Sequence, residues 1–224
     1  MMMMMMMIRR YNCCCRLSAE DRVRCRAIAD VGFIVDSSGS LASQYSKEKD
    51  FVKLVADSLS ISDKGSRAAV VLFSFYAQLS IKFTDHMKTE DFKRAVDALP
   101  LMRSTTRIDR ALTTAYNEMF NEKNGMRVTV PKVLVLLTDG EQTKGGDAIA
   151  PAQVVRKFHD AGIKVIVIGI GKGVNPAELG ALVKSKDNLY LAKDFDQLKS
   201  VQFVDDIIGS TCLQTGTYDS SYCQ

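Results

Sequence analysis

The sequence predicts an α/β fold: a doubly wound, mostly parallel six-stranded sheet with one antiparallel edge strand and helices on both faces. From residue 29 onward, short β-rich runs alternate with amphipathic segments. The runs that end at Asp36 and Asp139 are near-continuous Val, Ile and Leu, as expected of strands buried on both sides. The runs 68–75 and 77–83 are separated by little more than Tyr76, too little chain for a parallel crossover, so they form a tight hairpin and supply the antiparallel edge.

The elements follow in order. The first strand is read at 29–36, and Phe51, Leu54, Val55 and Leu59 then recur at helical spacing. After the hairpin, Phe92, Val96 and Leu99 mark a second helix, and Ile108, Leu112, Ala115 and Met119 a third. Strand 132–138 precedes a helix carrying Val154, Val155 and Phe158 that stops at Gly162. Strand 164–170 is followed by a brief helix from Pro176 through Val183, since proline suits a first helical turn. A short strand, 189–191, leads to a final helix over 194–208, whose stripe is Leu198, Val201, Val204 and Ile208 and whose stop is Gly209. These stripes are core faces and imply no cofactor.

A chain of 224 residues suits one domain with short tails, expected at 27–211 between tails 1–26 and 212–224. The net charge of +4 comes from the first 26 residues, which hold six Arg against Glu20 and Asp21 and leave 24 basic and 24 acidic residues after them. A neutral domain without a basic, aromatic stripe gives no footprint for nucleic acid. The longest apolar runs, 133–137 and 165–170, are strand-sized, far from the about 18 residues of a membrane helix. Seven Met and Ile8 run straight into Arg9, Arg10 and then Cys13, Cys14 and Cys15, which reads as a tail or a wrongly extended start and not as a signal peptide.

The chemistry begins at the end of the first strand. Asp36, Ser38 and Ser40 place three oxygen-bearing side chains two residues apart, with Gly39 free to form a tight loop. In doubly wound sheets, ligands bind outside the carboxyl ends of strands. Carboxylate and hydroxyl oxygens are hard donors that suit Mg²⁺, Mn²⁺ or Ca²⁺ better than zinc or copper. A second buried strand ends in Thr138, Asp139 and Gly140, and a polar loop, Ser104, Thr105 and Thr106, opens onto the third helix, where Thr106 is placed to cap it.

With these residues in place, the sequence resembles the von Willebrand factor type A domains, whose metal-ion-dependent adhesion site joins a DxSxS motif, a loop Thr and a later Asp. The agreement in order and spacing covers about residues 28–210. The resemblance implies that Ser38 and Ser40 bind a cation through hydroxyls, that Asp36 and Asp139 act largely through water, and that Thr106 switches between direct and indirect contact. Ser104 and Thr105 stand where the family usually has glycines, which makes Thr105 the alternative to Thr106. The family's sheet also sets the first and fourth strands side by side, which would bring Asp36 and Asp139 together. One open coordination position, completed by a partner's Asp or Glu, is part of the same implication, with Ser104, Thr105 and Glu141 on the rim.

Other readings are weaker. Gly169, Gly171 and Gly173 lack the third glycine of a nucleotide-binding turn at its proper place, and Pro176 follows closely. Ser38 stands where a haloacid-dehalogenase-like phosphotransferase would need a second Asp. A serine nucleophile would need a base, and neither His86 nor His159 follows a buried strand. No enzymatic activity is expected.

The chain is closest in style to extracellular matrix members of the family, such as matrilins and collagen VI chains, whose flanking cysteines imply a Cys25–Cys212 disulfide. Closing so long a loop would stabilise by about 5 kcal/mol in the chain-entropy model. Cys13, Cys14, Cys15 and Cys223 have no assigned pairing. The expected function is therefore a secreted, cation-dependent adhesion or matrix domain. Its partner would be an extracellular protein offering Asp or Glu, such as collagen or another matrix protein, with the chain itself a homo-oligomer or one module of several. The alternatives are a matrix scaffold without metal-dependent recognition and an intracellular complex-assembly domain of the same family.

Overall fold

A computed structural model describes residues 28–212, apart from the side chains of Val201 and Cys212. Strand β1 (Asp30–Asp36) is buried along its whole length. Its Val31, Phe33 and Val35 enter one apolar cluster and Ile34 the other, because successive strand side chains point to opposite faces. Strands β2 (Arg67–Phe73), β4 (Lys132–Thr138) and β5 (Lys164–Ile170) are buried beyond their first residue. Strands β3 (Ala77–Ile81) and β6 (Leu189–Ala192) are partly exposed. The sheet order is β3-β2-β1-β4-β5-β6, so the two partly exposed strands are the edges. Only β3 runs antiparallel, through the expected hairpin, whose link is Ser74 to Tyr76.

Two helical layers cover the sheet. Helices α1 (Tyr45–Leu59) and α2 (Thr89–Asp97) pack Phe51, Val55, Phe92 and Val96 onto one face. On the other face, α3 (Ile108–Thr114), α4 (Pro151–Asp160) and α5 (Pro176–Gly180) contribute Ile108, Leu112, Phe158 and Leu179. Helix α6 (Val201–Cys212) returns to the first face with Phe203 and Ile207. Each fully buried side chain of this size stabilises by about 1.5–3 kcal/mol, so packing of the two faces holds the layers more than helix propensity does.

The final helix differs from expectation. Residues 194–200 form a turn and a short 3-10 segment, Gln197–Lys199, and α6 begins only at Val201 and runs past Gly209. The reason is local competition: Asp194 Oδ1 accepts the N–H groups of Asp196 and Gln197, and Ser200 Oγ accepts that of Phe203. The helix expected through Val183 ends at Gly180, and strands expected to reach 75 and 83 end at Phe73 and Ile81. The third helix ends in a wide turn, Ala115–Met119, closed by Phe120 N–H to Ala115 O. That turn lies on β1, where a Cβ at Gly32 would come within 2.3 Å of Met119 Cε, so a larger residue there would require the Met119 side chain to shift.

Strands β1 and β4 are neighbours, and the chain winds outward from them in both directions. The crevice at their carboxyl ends is the topological switch point of the sheet.

Candidate metal centre

Asp36 ends β1 at that switch point and is wholly buried. Its Oδ1 accepts the Ser38 N–H at 2.9 Å, and its Oδ2 accepts the Thr138 hydroxyl at 2.7 Å. Burial pushes the carboxyl up to about 6, the bonds from Thr138 and Ser38 pull it partly back, and Asp139 adds a little repulsion. Each oxygen keeps a lone pair for a further partner.

The hydroxyls continue the chain of oxygens. Ser40 Oγ donates to Asp139 Oδ1 at 2.9 Å, and Ser38 Oγ lies 3.1 Å from Ser40 Oγ. Since Ser40 has one proton and gives it to Asp139, Ser38 is the donor of the second bond. Burial also raises the half-buried Asp139 carboxyl, against the Ser40 bond that lowers it.

The polar loop is tied to the same place by its backbone. Gly39 N–H donates to Ser104 O at 2.9 Å, Arg103 N–H to Ser37 O at 2.9 Å, and Met102 N–H to the Ser37 hydroxyl at 2.7 Å. Arg103 has φ +57°, a left-handed conformation for a non-glycine residue that costs about 1–3 kcal/mol and is held by these bonds. Thr106 is nearly buried, and a Cβ at Gly140 would stand 3.6 Å from its Oγ1, so this hydroxyl faces the turn after Asp139. It does not cap α3: Arg107 holds the cap position without a side-chain bond, and the Thr106 backbone pairs with Thr143 on both sides. Ser104, Thr105 and Glu141 are exposed, as rim residues would be. Gly173 lets its backbone approach Asp139, since a Cβ there would fall 2.5 Å from Asp139 O, so the glycine-rich turn after β5 props this loop.

Asp36, Ser38, Ser40, Thr106 and Asp139 thus converge from three loops, and among the described residues neither carboxylate has an ion-pair partner. Hard oxygen donors and negative charge fit a divalent cation. The expected Cys25–Cys212 pairing lies outside the described residues and side chains.

Several functional groups went unnoticed in the sequence. Thr138 and Ser37 fasten the loops. Glu48 of α1 is wholly buried, and among the described residues neither of its carboxyl oxygens has a hydrogen-bond partner. Burial, then Asp36 and Asp139, push its carboxyl well above the ordinary range. Its position was readable: 48, 51, 52 and 55 form one buried helical stripe, with an acid in the first place.

A second network braces the site. Arg107 grips Asp109 with two bonds of 2.9 and 2.8 Å, Gln142 Nε2 adds one of 2.7 Å, and Ile149 N–H one of 3.0 Å. Burial alone would raise the Asp109 carboxyl, yet the bonds from Arg107, Gln142 and Ile149 hold it far below the usual carboxylate range. Arg107 and Arg110 share Asp147, which joins this cluster to the loop after Asp139.

The family model for the von Willebrand factor type A domain matches residues 30–204. The chain is 28% identical over 180 residues to integrin alpha-X of Mus musculus, covering 77% of this chain and 15% of the relative. It is 30% identical over 177 residues to the collagen alpha-5(VI) chain of Mus musculus, covering 78% of this chain and 6% of the relative. A solved structure of proximal thread matrix protein 1 from the mussel byssus, with a zinc-occupied MIDAS motif, superposes with TM-score 0.78 at 26% identity, over 84% of this chain and 49% of that one. The chain therefore spans less than a sixth of these two curated relatives and about half of the solved protein.

Proposed function

This chain belongs to the von Willebrand factor type A domain family, and from that premise we propose that it is a cation-dependent protein-binding domain of an adhesion or matrix protein. Asp36, Ser38, Ser40, Thr106 and Asp139 would hold the ion, and an acidic side chain of a protein ligand would complete its shell. The observation that carries this reading is the bonded series Ser38–Ser40–Asp139 beside a buried Asp36 that has no ion pair among the described residues.

A bound Mg²⁺ or Mn²⁺ supplies positive charge at the surface, to which a carboxylate can bind. The protein's part is orientation. Thr138 and the Ser38 N–H fix the Asp36 carboxylate, the loop bonds at Ser37 and Gly39 fix the serines, and the Thr143 backbone fixes Thr106. Ser104, Thr105 and Glu141, which are exposed, would surround the opening and discriminate among ligands. The likeness to proteins named integrin, collagen and matrilin supports an extracellular location, a protein ligand such as collagen, and a role without catalysis. A Cys25–Cys212 disulfide belongs to the same proposal.

Calorimetric titration with Mg²⁺ and Mn²⁺ tests the site: wild type binds one ion, and Asp36→Ala does not. Equal binding by the two proteins would refute it. A scaffold reading is favoured by the likeness to a thread matrix protein, and it predicts that binding to collagen or another matrix protein survives EDTA unchanged.

A further inference from the structure

We propose that Glu48 is a sixth side chain of the cation site, a carboxylate that holds the ion's water shell from the helical layer; this rests on the cation reading above. Glu48 starts the stripe 48, 51, 52 and 55, whose other members, Phe51, Val52 and Val55, are apolar and wholly buried. A Met or Leu would complete that stripe, whereas a carboxyl with two unbonded oxygens is a costly occupant. Glu48 stands in the first turn of α1, on the stripe that packs toward the sheet, and α1 follows Asp36 by only the short segment 37–44, so this end of the helix lies at the carboxyl end of β1. Asp36 and Asp139 are also the charges that act on it.

Its surroundings hold it there. Tyr45, one turn earlier, donates its hydroxyl to Pro100 O at 3.1 Å and so fixes the first turn of α1 against the segment that leads into the polar loop. Asp36, Asp139 and Glu48 together place three carboxyls at one end of β1 and β4, and among the described residues none of the three has an ion pair. An acid in this position gains its hydrogen-bond partners from a hydrated cation. Outer groups of this kind orient what the ligands bind, and their loss typically weakens metal affinity about 10–100-fold. Glu48 is in this sense a positioning residue.

The test combines Mn²⁺ titration calorimetry with thermal unfolding in EDTA, on wild type, Glu48→Gln, Glu48→Met and Asp36→Ala. Both Glu48 variants should bind Mn²⁺ about 10-fold more weakly or worse. Glu48→Met should also unfold a few degrees higher than wild type in EDTA, because an unbonded buried acid has become apolar. A residue that merely holds the fold would lower stability and affinity together, and that result overturns the proposal. So does unchanged Mn²⁺ affinity in Glu48→Gln and Glu48→Met when Asp36→Ala has lost binding, which leaves the cation reading standing. A wild-type protein that binds no Mn²⁺ overturns both.

Discussion

Two buried aspartates beside the loops at the carboxyl end of the sheet are treated in opposite ways. Asp109 is gripped by Arg107, Gln142 and the Ile149 N–H, so its charge is balanced and its oxygens are occupied. Asp36 receives one hydroxyl and one N–H, feels the repulsion of Asp139, and has no ion pair among the described residues. A satisfied carboxylate is a structural tie, while one left without a counter-charge at a strand end is the kind of group a ligand site uses, which is the role proposed for Asp36. Residue type and burial are the same in both, and only the neighbours differ.

The largest effect should come from breaking the satisfied member. Arg107→Ala leaves Asp109 buried without its partner, which should cost about 3–5 kcal/mol in urea unfolding. Added Mg²⁺ should not restore it; a loss below about 1 kcal/mol would erase the contrast.

The pH dependence of the metal-free protein sharpens it. Asp36 is raised from 3.8 to about 6, so its stabilising contribution is full below the unfolded value and is lost as pH rises through 6. Asp109 is lowered, so its contribution is present above its unfolded value and fades as pH falls. In EDTA, Asp36→Asn should therefore gain on wild type between pH 4 and pH 7 by up to about 3 kcal/mol. A constant difference across that range would mean that Asp36 carries no excess proton affinity. The smallest effect belongs to the exposed end of the Arg107 network: Asp147, whose side chain is 70% exposed, should leave the urea-unfolding midpoint nearly unchanged when changed to Ala.

The strands and the oxygen series were legible because both are patterns of residue type along the chain. Continuous Val, Ile and Leu before Asp36 and Asp139 gave the buried strands, and hard donors at alternate positions pointed to the loop proposed to hold a cation. The meeting of Asp36 and Asp139 came from family resemblance, since spacing alone does not order strands. The Arg107–Asp109 grip was hidden because a basic and an acidic residue two apart look like a solvated loop until Gln142 and Asp147 are brought to them. Thr106 looked like a cap because the pattern of a polar residue before an apolar stripe is common; its backbone bonds to Thr143 took it elsewhere. The break at Ser200 was concealed by Leu198, which is buried on a 3-10 turn and so continues the helical stripe without belonging to the helix.

The adjacency of β1 and β4 has a consequence in time. Ser40 and Asp139 are 99 positions apart, and they meet only after β4 has closed against β1 over the intervening loop, a slow, long-range event in folding. A cation held between them, as proposed, would therefore be taken up only after these strands have closed. Such an ion would leave the folding rate nearly untouched and act on the reverse step, lengthening the life of the native domain.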